Sequence, residues 1–189
     1  MRALLTALSA LILLAYPLAV YFGIERYGLS LVGGVLIAAL LLRLLYSSKS
    51  RLKELKQLAL ISASVGITLV ALGVIFRQQG LLTFYPVVVN LCMLMVFANS
   101  LRQQQTIVER LARLQDPDLP QSGIDYTRAV TKVWCAFFII NASIALYTCF
   151  LSMAIWTLYN GLISYILAGL LFAIEWIVRQ FKLKEHSKQ

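Results

Sequence analysis

The chain has 189 residues, of which 60% are hydrophobic and 13% charged, with a formal net charge of +9. Soluble domains typically carry about 25% charged residues, so this composition excludes an ordinary water-facing surface and points to a bilayer. The positive excess does not indicate nucleic acid. Its residues form no cluster on a soluble module with a binding motif and instead lie in short loops beside apolar runs, where Lys and Arg set topology.

Six apolar stretches follow one another, and they predict an all-α polytopic membrane protein forming a single domain over 1–189. The first predicted span covers 3–24 after Arg2; its length and lack of a clear small-residue cleavage site favour an uncleaved helix over a signal peptide. Pro17 is expected to kink it. A tight turn at 25–28 leads to the second span, 29–46, in which Gly33 and Gly34 are expected to admit a neighbouring helix and Arg43 to reach the headgroups. The basic loop 47–57 precedes the third span, 58–76, which has a small-residue side of Ser62, Ser64, Gly66 and Gly73. A turn at 77–80 opens the fourth span, 81–101.

The longest polar segment is 102–132. Its first half reads as an amphipathic helix on the cytoplasmic face, with Ile107, Val108, Leu111 and Leu114 on one side and Glu109 paired with Arg113 at i,i+4. The Asp-Pro-Asp-Leu-Pro run at 116–120 ends it, because proline cannot continue the hydrogen-bond ladder. Ser122 and Asp125 have the spacing of a capping box for the next helix. Spans five and six are expected at 133–151 and 158–178, separated by a nearly uncharged outer turn with Trp156 at the interface. If the chain starts inside and crosses six times, only Arg26 and Arg77 of the 17 basic residues face out, leaving 15 inside. That asymmetry predicts the bacterial inner membrane, with both termini cytoplasmic.

Intramembrane polar residues are the default candidates for function, since lipid offers them no partner. Asn90 and Asn141 lie near the middle of spans four and five and are positioned to bond across helices, as glue or as contacts to a passing substrate. Glu175 precedes Arg179 by four residues near the inner end of span six, which reads as an interfacial pair or a proton-coupling carboxylate. The patterned start of span five holds Asp125, Tyr126, Thr127, Arg128, Thr131, Lys132 and Trp134. Asp125, Arg128 and Lys132 share one helical face, and Thr127, Thr131 and Trp134 the neighbouring one. Cations beside hydroxyls at headgroup depth could hold a lipid phosphate, or simply anchor the span.

Catalytic signatures are not found: the chain carries no phosphate-binding glycine loop, nucleophile elbow or acidic cluster, and its single histidine, His186, lies in the tail. Cys92, Cys135 and Cys149 have no metal or redox spacing and read as packing residues. No enzyme activity, cofactor or metal is expected.

Leu119-Pro120, then Trp134 with Phe137, Phe138 and Ile139, then Tyr147 and Ile155-Trp156, resemble the YciB family of bacterial inner-membrane proteins, also called intracellular septation protein A. The likeness extends over about residues 17–180, from the segment 17–22 and the basic stretch 51–56 onward. A second resemblance is to a group of proteobacterial predicted membrane proteins with a DLPxxGxxYTRxVTxVW core, here Asp118 to Trp134, often encoded among aryl-polyene or fatty-acid synthesis enzymes. These resemblances imply a non-enzymatic envelope accessory whose partners are membrane lipids and other envelope or lipid-synthesis membrane proteins. The other expectation is a carrier or flippase for an acyl or aryl-polyene lipid intermediate.

Overall fold

A computed structural model describes residues 16–27, 29–47, 64–69, 79–114 and 116–186, with isolated positions 60, 71, 72 and 75. The chain is all-helical there. Helix α1 is Tyr16–Tyr27 and α2 is Leu29–Ser47. A 3-10 turn, Gln79–Phe84, opens α3, Tyr85–Ser100. Next come the short α4, Ile107–Arg113, and the long α5, Gln121–Thr148. Helix α6, Met153–Leu158, runs through a π turn, Tyr159–Ile163, into α7, Ser164–His186.

Among the described residues three helical runs are long and apolar enough to cross a membrane: Gly80–Ser100, Gln121–Thr148 and Met153–Gln180. They correspond to predicted spans four, five and six. The first three predicted spans do not reach that standard among the described residues. Span two matches α2, whose qualifying apolar stretch is the shorter Leu31–Leu41. Most of spans one and three, the loop 48–57, and the side chains of Arg43 and Arg77 lie outside the described residues.

Helices α3 and α5 form the most extensive pair. Phe97 meets Cys135 and Phe138 between them, and Ile107 of α4 closes the same cluster. A second cluster joins Val32, Leu36 and Leu40 of α2 to Leu82, Tyr85 and Trp156. A third joins Val87 of α3, Ala145 of α5 and Tyr159 of the π turn. Pro86 explains how α3 starts: its missing N–H is tolerated only in the first turn, so the chain approaches through a tighter 3-10 turn.

Glycine packing follows expectation at Gly66 but not at Gly34. A Cβ on Gly34 would meet nothing within 4 Å, so that position is not a close helix contact. Gly33 beside it is buried, and close contacts fall at Gly66, on the small-residue side expected of span three, and at Gly23. A Cβ on Gly66 would lie 2.7 Å from Tyr85 Cε2 and 3.0 Å from Leu40 Cδ1, and one on Gly23 would lie 2.9 Å from Val32 Cγ2. Small residues that let helices approach are the usual currency of packing in lipid, where apolar burial between helices brings little gain.

Burial is unequal among the long helices. In the most apolar window of Gly80–Ser100, 39% of residues are buried, and 33% in that of Gln121–Thr148, but none in that of Met153–Gln180. Between Ser164 and Gln180 the last helix has a half-buried seam of Ala168, Leu171, Glu175 and Arg179, with Gln180 beside it.

Candidate functional site

The mid-helix asparagines meet. Asn141 Nδ2 donates to Asn90 Oδ1 at 2.9 Å, joining α5 to α3. The chain of donors extends both ways. Tyr159 Oη donates to Asn141 Oδ1 at 2.7 Å, and Asn90 Nδ2 donates to the Pro86 carbonyl at 2.8 Å. Asn141 and Tyr159 are buried and Asn90 is half-buried. One turn away, Asn160 Nδ2 donates to Thr148 Oγ1 at 3.0 Å and to the Trp156 carbonyl at 2.9 Å. Sequence reasoning found Asn90 and Asn141 but not Tyr159, Asn160 or Thr148. Tyr159 and Asn160 begin the predicted sixth span, where water at the interface would have been the expected partner. The π turn that aims both at α5 has no signature in the sequence.

Trp156 corrects an expectation. It is 1% exposed, inside the bundle rather than in an aromatic belt. Its indole Nε1 donates to the Thr83 carbonyl at 3.0 Å, and Cys149 Sγ donates to the same oxygen at 3.2 Å. The 3-10 turn leaves that carbonyl accessible, and two residues bracketing the 149–152 connection converge on it. Near this junction Thr157 Oγ1 is buried without a hydrogen-bond partner.

At the opposite end of α3 and α5, the expected headgroup constellation divides into two faces. Asp125, Arg128 and Lys132 are exposed. Thr127 and Thr131 are buried and turned inward, each hydroxyl donating to its own helix: Thr127 Oγ1 to the Ile124 carbonyl at 2.8 Å, Thr131 Oγ1 to the Thr127 carbonyl at 2.7 Å. The hydroxyls therefore do not join the cations. Trp134 stacks among Phe97, Phe137, Phe138 and Phe172. Arg128 Nη2 donates to the Leu101 carbonyl at 2.7 Å, placing a cation at the negative end of α3. Tyr126 Oη donates to the Glu175 backbone carbonyl at 3.1 Å, and the Glu175 carboxylate and Arg179 guanidinium both act on this phenol electrostatically.

The capping box expected at Ser122–Asp125 is not formed. Helix α5 begins one residue earlier, with Pro120 at the N-cap and no side-chain cap, while Gln121 Nε2 donates to Asp125 Oδ1 at 3.2 Å. A working side-chain cap opens α4 instead. Thr106 Oγ1 accepts the Glu109 N–H at 3.2 Å, and Ser100 Oγ accepts the Ile107 N–H at 3.1 Å. Two of the four orphan donors of α4 are thereby satisfied. The Glu109–Arg113 pair forms as expected, at 3.0 Å. The buried face of α4, however, carries Ile107, Glu109 and Ala112, whereas Leu111 and Leu114 are exposed.

Among the described residues no group of three His, Cys, Asp or Glu side chains is placed to hold a metal ion. Comparison of the chain with family models, curated proteins and solved structures gives no match. The described residues therefore define the protein by their own geometry: all-helical, with three helices fit to cross a membrane, internally cross-bonded polar groups, and a cationic face at one end.

Proposed function

We propose that this is an integral protein of the bacterial inner membrane, with six spans and both termini cytoplasmic, that works without catalysis as a YciB-like envelope accessory through protein or lipid contacts. The observation that carries this reading is the mutual bonding of Asn141 with Asn90 and Tyr159, and of Asn160 with Thr148. Polar groups that a carrier would hold ready along a substrate path are here committed to joining helices. What remains outward is an apolar surface and exposed cations at one end.

The alternating direction expected of spans four to six draws support from the grouping of their ends. The outer end of span four, the outer end of span five and the turn expected at 152–157 meet at the Thr83 carbonyl, which accepts from Cys149 and Trp156. The segments expected inside, 101–114, 121–132 and the end of α7, gather at the other end through Arg128 and Tyr126.

The test is a lipid profile of a strain lacking the protein, with complementation by the wild type and by Asn141→Leu. An unchanged acyl-lipid and polyene profile is expected. A profile that accumulates an acyl or aryl-polyene intermediate, and is restored only by the wild type, would favour the carrier reading. Topology is tested by a reporter fused after Gln189, which should report the cytoplasm; a periplasmic signal overturns the six-span arrangement.

A further inference from the structure

One flank of α5 changes character along its length. Arg128, Lys132, Ala136 and Ile140 recur at four-residue intervals, and all four are exposed. The flank thus begins cationic and continues apolar along a single i,i+4 ridge that winds slowly around the helix. Ala136 presents only a methyl group between Lys132 and Ile140, whose side chain is 60% exposed. The Arg128–Leu101 bond ties the cationic end to the C-terminus of α3, so that the guanidinium is fixed beside the root of Arg102, itself exposed. Arg102 follows the end of α3, Arg128 and Lys132 are exposed on α5, and α5 carries a single carboxylate, Asp125, so this end has an excess of two positive charges.

We propose that this flank is a binding site for an anionic phospholipid, with the headgroup phosphate at Arg102, Arg128 and Lys132 and an acyl chain along Ala136 and Ile140. The inference rests on the membrane reading above and names its lipid. A free phosphate would satisfy the cations but has no use for the apolar continuation; an amphiphile matches both. Guanidinium groups grip phosphate through paired N–H donors, and Lys132 adds a point charge beside them. The buried hydroxyls of Thr127 and Thr131 take no part, since both are bonded to their own helix.

The experiment uses the full chain purified in mild detergent and offered equal amounts of phosphatidylglycerol and phosphatidylcholine with matched acyl chains. Native mass spectrometry counts the lipid retained. Phosphatidylglycerol should be preferred. Lys132→Gln should lower that preference about fivefold, and Arg102→Gln with Lys132→Gln about 25-fold, on the scale of one headgroup attraction per cation. Arg26→Gln, which removes an equal charge from an exposed position near the expected outer turn, should leave it unchanged. Arg128 is kept because its loss would also release the Leu101 carbonyl. Equal retention of the two lipids overturns the proposal, as does a Lys132→Gln effect no larger than that of Arg26→Gln. Displacement of the lipid by millimolar inorganic phosphate would assign the cations to a free anion instead. Carbonate washing of membranes separates the two levels of inference. A chain that washes out sinks the membrane reading, whereas one that stays but shows no lipid preference sinks only this site.

Discussion

Replacing Asn141 by leucine removes the node of the polar chain between α3, α5 and the π turn. Two bonds are lost, the donation to Asn90 and the acceptance from Tyr159. Interhelical hydrogen bonds in membranes average about 0.6 kcal/mol, so the bonds alone account for about 1.2 kcal/mol. The larger share comes from what is left behind. Tyr159 Oη becomes a buried donor without an acceptor, at about 1–3 kcal/mol, and Asn90 Oδ1, being half-buried, adds less. The expected loss is about 3 kcal/mol, read from reversible unfolding in mixed micelles titrated with a denaturing detergent. The diagnostic comparison is the triple variant Asn90→Leu, Asn141→Leu, Tyr159→Phe, in which no stranded group remains. It should lie within about 1 kcal/mol of the wild type, since removing all partners of a buried network can be nearly neutral. A harmless single variant, or a triple variant whose loss equals the sum of its parts, would refute the idea that this network is a closed helix-joining unit.

Two further substitutions probe the packing and the short helix. Gly66→Ala should destabilise the bundle by about 1–3 kcal/mol in the same unfolding assay, because the new methyl meets the buried Tyr85 ring at 2.7 Å with Leu40 on its other side; an unaltered midpoint would mean the two helices separate freely. Thr106→Ala should cost about 1 kcal/mol by stripping the N-cap of α4, and limited proteolysis should cut faster within 102–120; unchanged cleavage would show that Ser100 alone holds the helix start.

Local chemistry was the part of this chain most readable in advance. The Glu109–Arg113 pair follows from spacing alone, and the Asn90–Asn141 bond follows from two amides at similar depth with no other partner in lipid. Features set by three-dimensional packing were not readable. The motif [ST]-x-x-[DE] occurs at both Thr106–Glu109 and Ser122–Asp125, but Pro120 fixes the α5 start one residue before Ser122, so only the first works as a cap. The hydroxyls of Thr127 and Thr131 share a helix with Arg128 and Lys132, and the periodicity placed them on the neighbouring face. It could not tell that this face is covered by the bundle. Trp156 looked interfacial because it borders an uncharged turn; its burial comes with an indole bond to the Thr83 carbonyl, a partner 73 residues away in the chain.

The sparsely covered helix Met153–Gln180 has a mechanical consequence. Twenty-eight residues extend about 42 Å, against a hydrocarbon core of about 30 Å. In a bilayer such a rod accommodates the difference by leaning, and a thinner bilayer demands a steeper lean. Its attachments to α5 lie near its two extremities: Tyr159 bonded to Asn141 at one, and Tyr126 bonded to Glu175 with Trp134 against Phe172 at the other. A rod fastened at both extremities to a neighbour cannot lean alone. Changes in bilayer thickness would therefore rotate the two helices as a pair and carry the Arg128 end of α5 up or down relative to the membrane surface.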